Sequence, residues 1–291
     1  RFGMRRIVIY IAGTKGGVGK SFAAIMLAGA AMDLELPYLV FDTDSENRTV
    51  SELLKGNTEF LDELQEHYPL DSVVNCLYSD SPAQVIIVDM KAGTSRTTQE
   101  WFSSVPWDFI RKTQVDVYVA GCITSDPDSV RTFIPWLDYF RKIDFPVRYL
   151  IFKNEKDGKE FPICTLKLEP AMRKLKLQYT EFRFPAIEQE YINLLNNNNL
   201  TLRDHVHGKN DKILPTIMQK SRLRNHYFSM TDQILEFFAS RMEASELTGI
   251  RAMLVEATRK RIAFRKGELI EESGSEEENN AGTSKKQSKG N

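Results

Sequence analysis

The 291-residue chain has only three cysteines, Cys76, Cys122 and Cys164, and they lie far apart in the sequence. None of them belongs to a C-x-x-C pair, so the sequence lacks the spacing of a disulfide framework and of a zinc or iron–sulfur site. We therefore expect three buried free thiols in a reducing compartment.

The chain also lacks a long hydrophobic run and a strong net charge. No apolar run reaches the roughly 18–20 residues that a membrane span needs. No signal-peptide cleavage pattern follows the N-terminus, so we expect a cytoplasmic protein. The formal net charge is -1, which provides no overall attraction to nucleic acid or membrane, and any such binding must come from a local patch.

Short apolar runs alternate with helix-like segments over the first 150 residues. Five strands are predicted, at residues 7–12, "PYLVFDTD", "AQVIIVDM", "VDVYVAG" and "PVRYLIFKN". Residues 20–33 are rich in alanine and predict a helix, and Asp126-Pro127-Asp128 marks the start of another. Continuous runs such as "VIIVDM" are typical of strands buried on both faces. The alternation predicts a three-layer α/β fold with a mostly parallel, twisted sheet flanked by helices.

The pattern loosens after residue 179. "FRFPAIEQEY" predicts a short strand, a proline turn and a helix, which "LLNNNNL" ends because asparagine favours turns. "RNHYFSMTDQILEFFASRMEASEL" predicts a long amphipathic helix. We expect one domain with C-terminal helices over residues 4–266. Residues 267–291 are expected to form a disordered acidic and polar tail, since they offer almost nothing to bury.

A glycine-rich segment, "GTKGGVGKS", joins the first predicted strand to the first predicted helix. Glycines let backbone N–H groups converge on phosphate oxygens, and the helix N-terminus adds positive potential. Strand, glycine-rich loop, Lys-Ser and helix in this order predict a phosphate-binding P-loop, with Lys20 on the β- and γ-phosphates and the Ser21 hydroxyl on Mg²⁺. The nucleotide-binding candidates of the loop are Gly16, Gly17, Val18, Gly19, Lys20, Ser21 and Phe22.

The loop departs from the strict G-x-x-x-x-G-K-S pattern. Thr14 stands at the first glycine position, and a second lysine, Lys15, follows it. This "KGGVGKS" form resembles the deviant Walker A motif of the ParA/MinD family of P-loop ATPases. The resemblance implies ATP and Mg²⁺ as cofactors, and a Lys15 that reaches the nucleotide of the other subunit in an ATP-sandwich homodimer. Hydrolysis would then depend on assembly, as with an arginine finger supplied in trans.

Carboxylates at two predicted strand ends are similar to those of the same family. In "LVFDTDSENRT", Asp42 and Asp44 are two residues apart at the edge where α/β sheets bind ligands. This segment resembles switch I, which implies that Asp44 positions the attacking water and that Asp42 supports Mg²⁺ through water. "VIIVDM" resembles a Walker B strand, which makes Asp89 a further metal-associated carboxylate beside Ser21 and Asp42.

Three further positions follow from the resemblance. "KAGTSRT" is similar to switch II, although Lys91 replaces a proline, and Gly93 is the position expected to approach phosphate closely. Asn154, after the fifth strand, corresponds to an adenine contact, and Pro185 to a segment that closes over the base. An ordinary polar strand end and an ordinary loop proline would account for Asn154 and Pro185 equally well.

The resemblance covers about residues 6–206. The short stretch between Asp44 and Asp89 is similar to plasmid ATPases of the StbB and TraL type. The implied function is slow, partner-stimulated ATP hydrolysis that positions, partitions or transfers plasmid DNA or an associated assembly. The implied partners are a second copy on ATP binding, a stimulating protein and nonspecific DNA, with nucleoid association as one location.

Two basic segments are the candidates for contact with DNA or membrane. Solvated helix faces would explain both of them without a ligand. The named positions are Lys220, Arg222, Arg224, Arg259, Lys260 and Arg261.

Two other functions stay open at this stage. Ile250, Met253, Leu254 and Ala257 recur at helical spacing beside the second basic segment, as in the basic amphipathic helix of a MinD-like membrane-associated protein. The acidic residues 276–278 that follow would oppose binding to anionic lipid. A metabolic ATP-dependent synthetase on the same core is the other alternative.

Overall fold

The computed structural model describes residues 5–44, 49–62, 68–93, 95–208 and 216–267. Parts of three sequence predictions lie outside these residues. They are residue 4 of the expected domain, residues 45–48 of the switch I-like segment, and the expected tail from residue 268 onward. The three cysteines are described, and all are free and buried, as expected.

Seven strands of the described residues form one parallel sheet in the order β3-β2-β4-β1-β5-β6-β7. The strands are β1 (Arg6–Ala12), β2 (Tyr38–Asp42), β3 (Thr58–Phe60), β4 (Val85–Asp89), β5 (Val115–Ile123), β6 (Val147–Asn154) and β7 (Tyr179–Phe184). The five strands predicted for the first 150 residues and the short strand in "FRFPAIEQEY" are confirmed.

Helices cover both faces of the sheet, which confirms the three-layer prediction. Apolar side chains of β1 alternate between the two cores: Ile7, Ile9 and Ile11 enter one, and Val8 and Tyr10 enter the other. Strands in the middle of a parallel sheet are covered on both faces, so nearly every residue of β1 and β4 must be apolar.

Six helices of the described residues contribute buried side chains to the first core. These are α1 (Lys20–Asp33), α2 (Thr49–Leu53), α9 (Gln189–Asn197), α10 (Leu202–Val206), α11 (Ile217–Ala239) and α12 (Gly249–Lys266). The second core lies beneath α3 (Asp71–Tyr78), α4 (Ser95–Ser104), α5 (Trp107–Lys112), α6 (Pro127–Arg131), α7 (Ile134–Phe140) and α8 (Glu169–Lys174).

Helix boundaries near prolines and asparagines follow the sequence signals. Asp126 caps α6 by accepting a hydrogen bond from the Asp128 N–H at 2.9 Å. α9 ends at Asn197, within the asparagine run.

The predicted boundaries of the long C-terminal helix were wrong. It was expected over residues 224–247, but α11 spans Ile217–Ala239. A separate helix, α12, follows it and ends at Lys266, where Gly267 has a φ of 72°. Among the described residues, no helix combines the length and apolarity needed to cross a membrane.

Candidate functional site

The glycine-rich loop leaves the carboxyl end of β1 and ends where α1 begins. Gly13, Gly17 and Gly19 have φ values of 122°, 71° and 103°, which L-residues with a side chain rarely adopt. α1 starts at Lys20, directly after the loop. The backbone N–H groups of its first turn have no acceptor within the helix and are therefore available to a ligand in the loop. The local sequence therefore builds an anion-binding turn at a helix N-terminus.

Asn154 fastens this loop to the end of β6. Its Nδ2 donates to the Val18 carbonyl at 3.1 Å, and its Oδ1 accepts from the Lys156 N–H at 3.2 Å. A Cβ on Gly19 would lie 2.5 Å from Asn154 Nδ2, so only glycine fits there without displacing the amide. Asn154 thus lies beside the loop, and its side-chain amide holds the loop in place.

Lys20 folds back over the loop. Its Nζ donates to the Lys15 carbonyl at 2.9 Å, and the residue is 8% exposed. A backbone carbonyl is a weak counterpart for an ammonium group, so a phosphate at the mouth of the loop would be a better one.

Lys15 is held differently. Its Nζ lies 3.1 Å from Asp126 Oδ2 and 4.0 Å from Asp128 Oδ2, in an exposed ion pair. The hydrogen bond to Asp126 raises the pKa of Lys15, so the group stays charged at neutral pH. The sequence identified Asp126 only as a helix cap; its contact with Lys15 depends on β1 and β5 being neighbours.

Asp42 and Asp89 end adjacent strands and lie opposite each other in the register of β2 and β4. Both are buried. Asp42 accepts hydrogen bonds from the Ser51 hydroxyl at 2.6 Å, the Ser51 N–H at 3.1 Å and the Asp44 N–H at 3.0 Å. Burial raises the pKa of Asp42, although these bonds oppose the shift.

Asp89 is the less well satisfied of the two carboxyl groups. Burial raises its pKa to about 7, against the opposing hydrogen bond from Ser21. Its Oδ2 is buried and has no hydrogen-bond partner among the described residues. An orphaned carboxylate oxygen beside a serine hydroxyl and a second carboxylate offers the hard oxygen donors that Mg²⁺ prefers.

No group of three His, Cys, Asp or Glu side chains in the described part of the chain is arranged to hold a metal. Mg²⁺ usually keeps several waters and takes only one or two carboxylates together with substrate phosphates. Ser21, Asp42 and Asp89 therefore fit an ion that arrives with a nucleotide better than one caged by protein alone.

Thr43 ties the two switch-like segments together, which sequence reasoning missed. Its N–H and its hydroxyl both donate to the Asp89 carbonyl, at 3.1 and 3.2 Å. The same hydroxyl accepts from the Lys91 N–H at 2.8 Å. The signal was the threonine between the carboxylates of "DTD", whose meaning appears only when β2 and β4 are paired.

The remaining predicted positions lie around this center. Asp44 is half-buried and follows Thr43, and Gly93 has a φ of 86° in the turn after β4. Pro185 is half-buried directly after β7, where the preceding Phe184 meets the Phe22 ring edge-on at 5.9 Å. The structure thus brings Phe22 to the same corner as Pro185.

The second basic segment is largely engaged within the chain. Arg261 and Arg265 lie 2.7 and 2.6 Å from the buried carboxylate of Asp232 in α11. Arg259 pairs with Glu236 at 3.0 Å, and Lys260 lies 3.7 Å from Glu256 on its own helix.

The first basic segment is more available. Arg222 and Arg224 are exposed on α11, with Arg224 over the Phe228 ring at 5.5 Å, while Lys220 is half-buried. Neither arginine forms an ion pair with the described residues.

Solved structures are similar to about four fifths of this chain, whereas no curated protein matches it. MinD of Pyrococcus horikoshii, complexed with Mg-ADP, is 13% identical over 81% of this chain and 98% of its own, with a TM-score of 0.48. A putative plasmid partition protein of Borrelia burgdorferi bound to AMPPNP is 16% identical over 81% and 99%, with a TM-score of 0.47. A point variant of Cyanothece McdA with ATP is 13% identical over 82% and 97%, with a TM-score of 0.46.

The family profile described as "CobQ/CobB/MinD/ParA nucleotide binding domain" matches residues 9–267. This match runs from the middle of β1 to the end of α12 and includes the loop, the strand-end carboxylates and Asn154. The chain therefore belongs to the CobQ/CobB/MinD/ParA family of nucleotide-binding domains.

Proposed function

We propose that this chain is a ParA/MinD-type ATPase that binds Mg-ATP in the loop after β1 and dimerises around the nucleotide. Slow hydrolysis would then release the dimer and so position, partition or transfer plasmid DNA or an associated assembly. The observation that carries the proposal is the contrast between the two loop lysines, Lys20 folded over its own loop and Lys15 held outside it.

Phosphoryl transfer depends on positioning and on neutralising charge around the γ-phosphate. Lys20 and the N–H groups at the start of α1 would bind the phosphates of their own subunit. Ser21 and Asp89 would hold Mg²⁺, with Asp42 beside them, and the ion would supply charge neutralisation at the phosphates.

Lys15 cannot bind a phosphate of the second subunit's nucleotide while it keeps its ion pairs with Asp126 and Asp128. Its exposed ion pair with Asp126 is weak, because solvent competes for both charges. A triphosphate approaching from a second copy would present several negative oxygens, so Lys15 would exchange carboxylates for phosphates. Asp44, beside Asp42, would orient the water that attacks the γ-phosphate.

Three variants test this division of labour. Lys20→Ala should lose ATP binding, measured by titration with a fluorescent ATP analogue. Lys15→Ala should bind ATP but fail to dimerise or hydrolyse, and Asp44→Ala should bind and dimerise without turnover. Lys112→Ala, an exposed lysine on α5, is the matched control and should behave as wild type. Normal turnover by Lys15→Ala would contradict the role in trans.

DNA binding would use Arg222 and Arg224 rather than α12, whose arginines are engaged. Removing one cation that touches a DNA phosphate should lower the slope of log affinity against log salt by about 0.9. The double variant Arg222→Ala/Arg224→Ala should therefore lower it by about 1.8 in an ATP-dependent gel shift at several salt concentrations. An unchanged slope would remove DNA binding by this segment from the proposal.

Membrane association is a second candidate because α12 exposes apolar side chains. Ile250 and Met253 are 68% and 73% exposed, and Phe264 is 83% exposed. These residues would sit in a lipid interface while the arginines stay on Asp232. Flotation with anionic vesicles and ATP distinguishes the two candidates, since a DNA-positioning ATPase should stay with the soluble fraction.

A further inference from the structure

The sheet ends at β7, whose outer edge pairs with no other strand of the described residues. Because the Tyr149 N–H donates to the Gln178 carbonyl at 3.0 Å, the even-numbered residues of β7 direct their backbone groups at β6. The odd-numbered residues, Tyr179, Glu181 and Arg183, direct theirs outward. Such an edge is a template for pairing with another extended segment.

The outward backbone groups of Arg183 are paired with a side chain that takes the place of a strand. Gln233 of α11 accepts from the Arg183 N–H at 2.9 Å and donates to the Arg183 carbonyl at 2.8 Å. Next to this cap, the outward groups of Tyr179 and Glu181 have no hydrogen-bond partner in the described part of the chain. The outer edge of β7 is therefore capped at Arg183, and its backbone groups at Tyr179 and Glu181 are available to another strand.

A cavity of about 280 Å³ adjoins the open edge. Thr180 and Phe182 form its wall on the strand, and Phe237, Ser240 and Arg241 form its wall at the end of α11. Phe182 belongs to the core on the α11 side of the sheet. Side chains of an added strand would alternate between faces, so every second one would point toward this cavity.

Arg241 contributes a cation to the lining of the cavity. Its guanidinium packs 5.5 Å from the center of the Phe237 ring and 5.9 Å from that of Tyr118. Its Nε is buried and has no hydrogen-bond partner among the described residues. A buried, unpaired donor on a charged group is costly, so the described residues leave this guanidinium incompletely satisfied.

Two carboxylates that line the cavity, those of Glu181 and Glu236, are already paired with other cations. Glu181 pairs with Lys153 at 2.8 Å, and Glu236 pairs with Arg259 at 3.0 Å. No described carboxylate lies within ion-pair distance of Arg241. The missing complement is an acidic group from outside the chain.

We propose that the β7 edge and this cavity bind an extended segment of a partner protein that carries an acidic side chain. Tyr179 and Glu181 would exchange backbone hydrogen bonds with the segment, and Arg241 would bind its carboxylate, as in recognition by strand addition. A second copy pairing through its own β7 would offer Thr180 and Phe182 to the cavity, and neither is acidic. The charge of Arg241 therefore favours an acidic segment of a partner protein over the β7 strand of a second copy.

The test uses two capped peptides, Thr-Val-Thr-Glu-Thr-Val-Thr and the same peptide with lysine at the center, and the full chain labelled for amide NMR. The acidic peptide should shift the Tyr179 and Glu181 amides and bind at least about tenfold more tightly than the lysine peptide, because a hydrogen bond to a charged group is at stake. Arg241→Gln should reduce this preference to less than about threefold. Arg96→Gln, which alters an exposed arginine paired with Glu100 on α4, on the other face of the sheet, should preserve it.

A version of the acidic peptide with alternate backbone amides N-methylated tests the strand pairing on the unaltered protein and should not bind. Equal affinity for the two parent peptides, shifts confined to other strands, or retained binding after methylation would overturn the proposal. Concentration-dependent shifts at β7 without peptide would identify a second copy as the occupant and would also overturn it.

Discussion

The loop after β1 and the helix α12 are both rich in cations, yet they hold them in opposite ways. Lys15 rests on exposed carboxylates, whereas Arg261 and Arg265 converge on Asp232, which is 0% exposed. An exposed pair contributes little and exchanges readily, while a buried carboxylate needs its cations. The number of charges in a segment therefore does not indicate whether they are available to a ligand.

The largest effect is expected from the double variant Arg261→Met/Arg265→Met. It would leave Asp232 buried without a cation, which should lower the free energy of unfolding by about 3–5 kcal/mol. Urea denaturation measures this change. Arg259→Met, which breaks an exposed pair, is the control and should cost about 1 kcal/mol or less. If the double variant cost as little as Arg259→Met, the ion pairs of Asp232 would be as easily replaced as the Lys15 pair, which would contradict the prediction.

A second prediction concerns the buried carboxyl group of Asp89, at the end of β4 beside the loop. The pKa of Asp89 is raised to about 7 by burial, so between pH 4 and pH 7 the folded state binds more protons than the unfolded state. Stability from this group is complete at low pH and is lost as pH rises through about 7. In metal-free, nucleotide-free protein the free energy of unfolding should fall on the order of 3 kcal/mol from pH 4 to pH 8.

Asp89→Asn removes the titrating group and should flatten most of this pH profile. Asp42, whose pKa is also raised, would leave a smaller slope of the same sign. A wild-type profile that rises from pH 4 to pH 8 would contradict the prediction.

The third prediction separates two glycines of the same loop. Gly19→Ala forces an L-residue to a φ of 103° and places its Cβ 2.5 Å from Asn154 Nδ2, so it should cost about 1–3 kcal/mol of stability. Gly16 has open space and no positive φ, and Gly16→Ala should change stability by less than about 0.5 kcal/mol. Thermal unfolding of the nucleotide-free proteins compares them, and equal costs would refute the close approach to Asn154.

The smallest effect is expected at Asp126. Asparagine at this position keeps the cap of α6 but removes the charge that holds Lys15. Asp126→Asn should therefore strengthen ATP-dependent dimerisation about twofold to fivefold, as measured by analytical ultracentrifugation. Weaker dimerisation would mean that Asp126 aids the dimer rather than restraining Lys15.

The sequence predicted the parts of the fold that depend on local pattern. β1 and β4 are continuous apolar runs, and the loop between β1 and α1 carries its glycines in order, so neither needed tertiary information. β3 was missed because "TEF" is three residues long and contains no apolar run. The early start of α11 had a signal, since Thr216 accepts from the Gln219 N–H as a helix cap, but the exposed Ile217 and Met218 obscured the amphipathic pattern.

Local chemistry alone determined that this chain builds a phosphate-binding loop, because glycines, a lysine, a serine and a helix start act over a few neighbouring residues. Only the tertiary structure decided which charges remain available. Asp126 is 111 positions from Lys15 in the chain numbering, and Asp232 is 29 from Arg261 and 33 from Arg265. Ion pairs across such separations depend on which strands and helices become neighbours, and burial then sets whether a ligand can replace them.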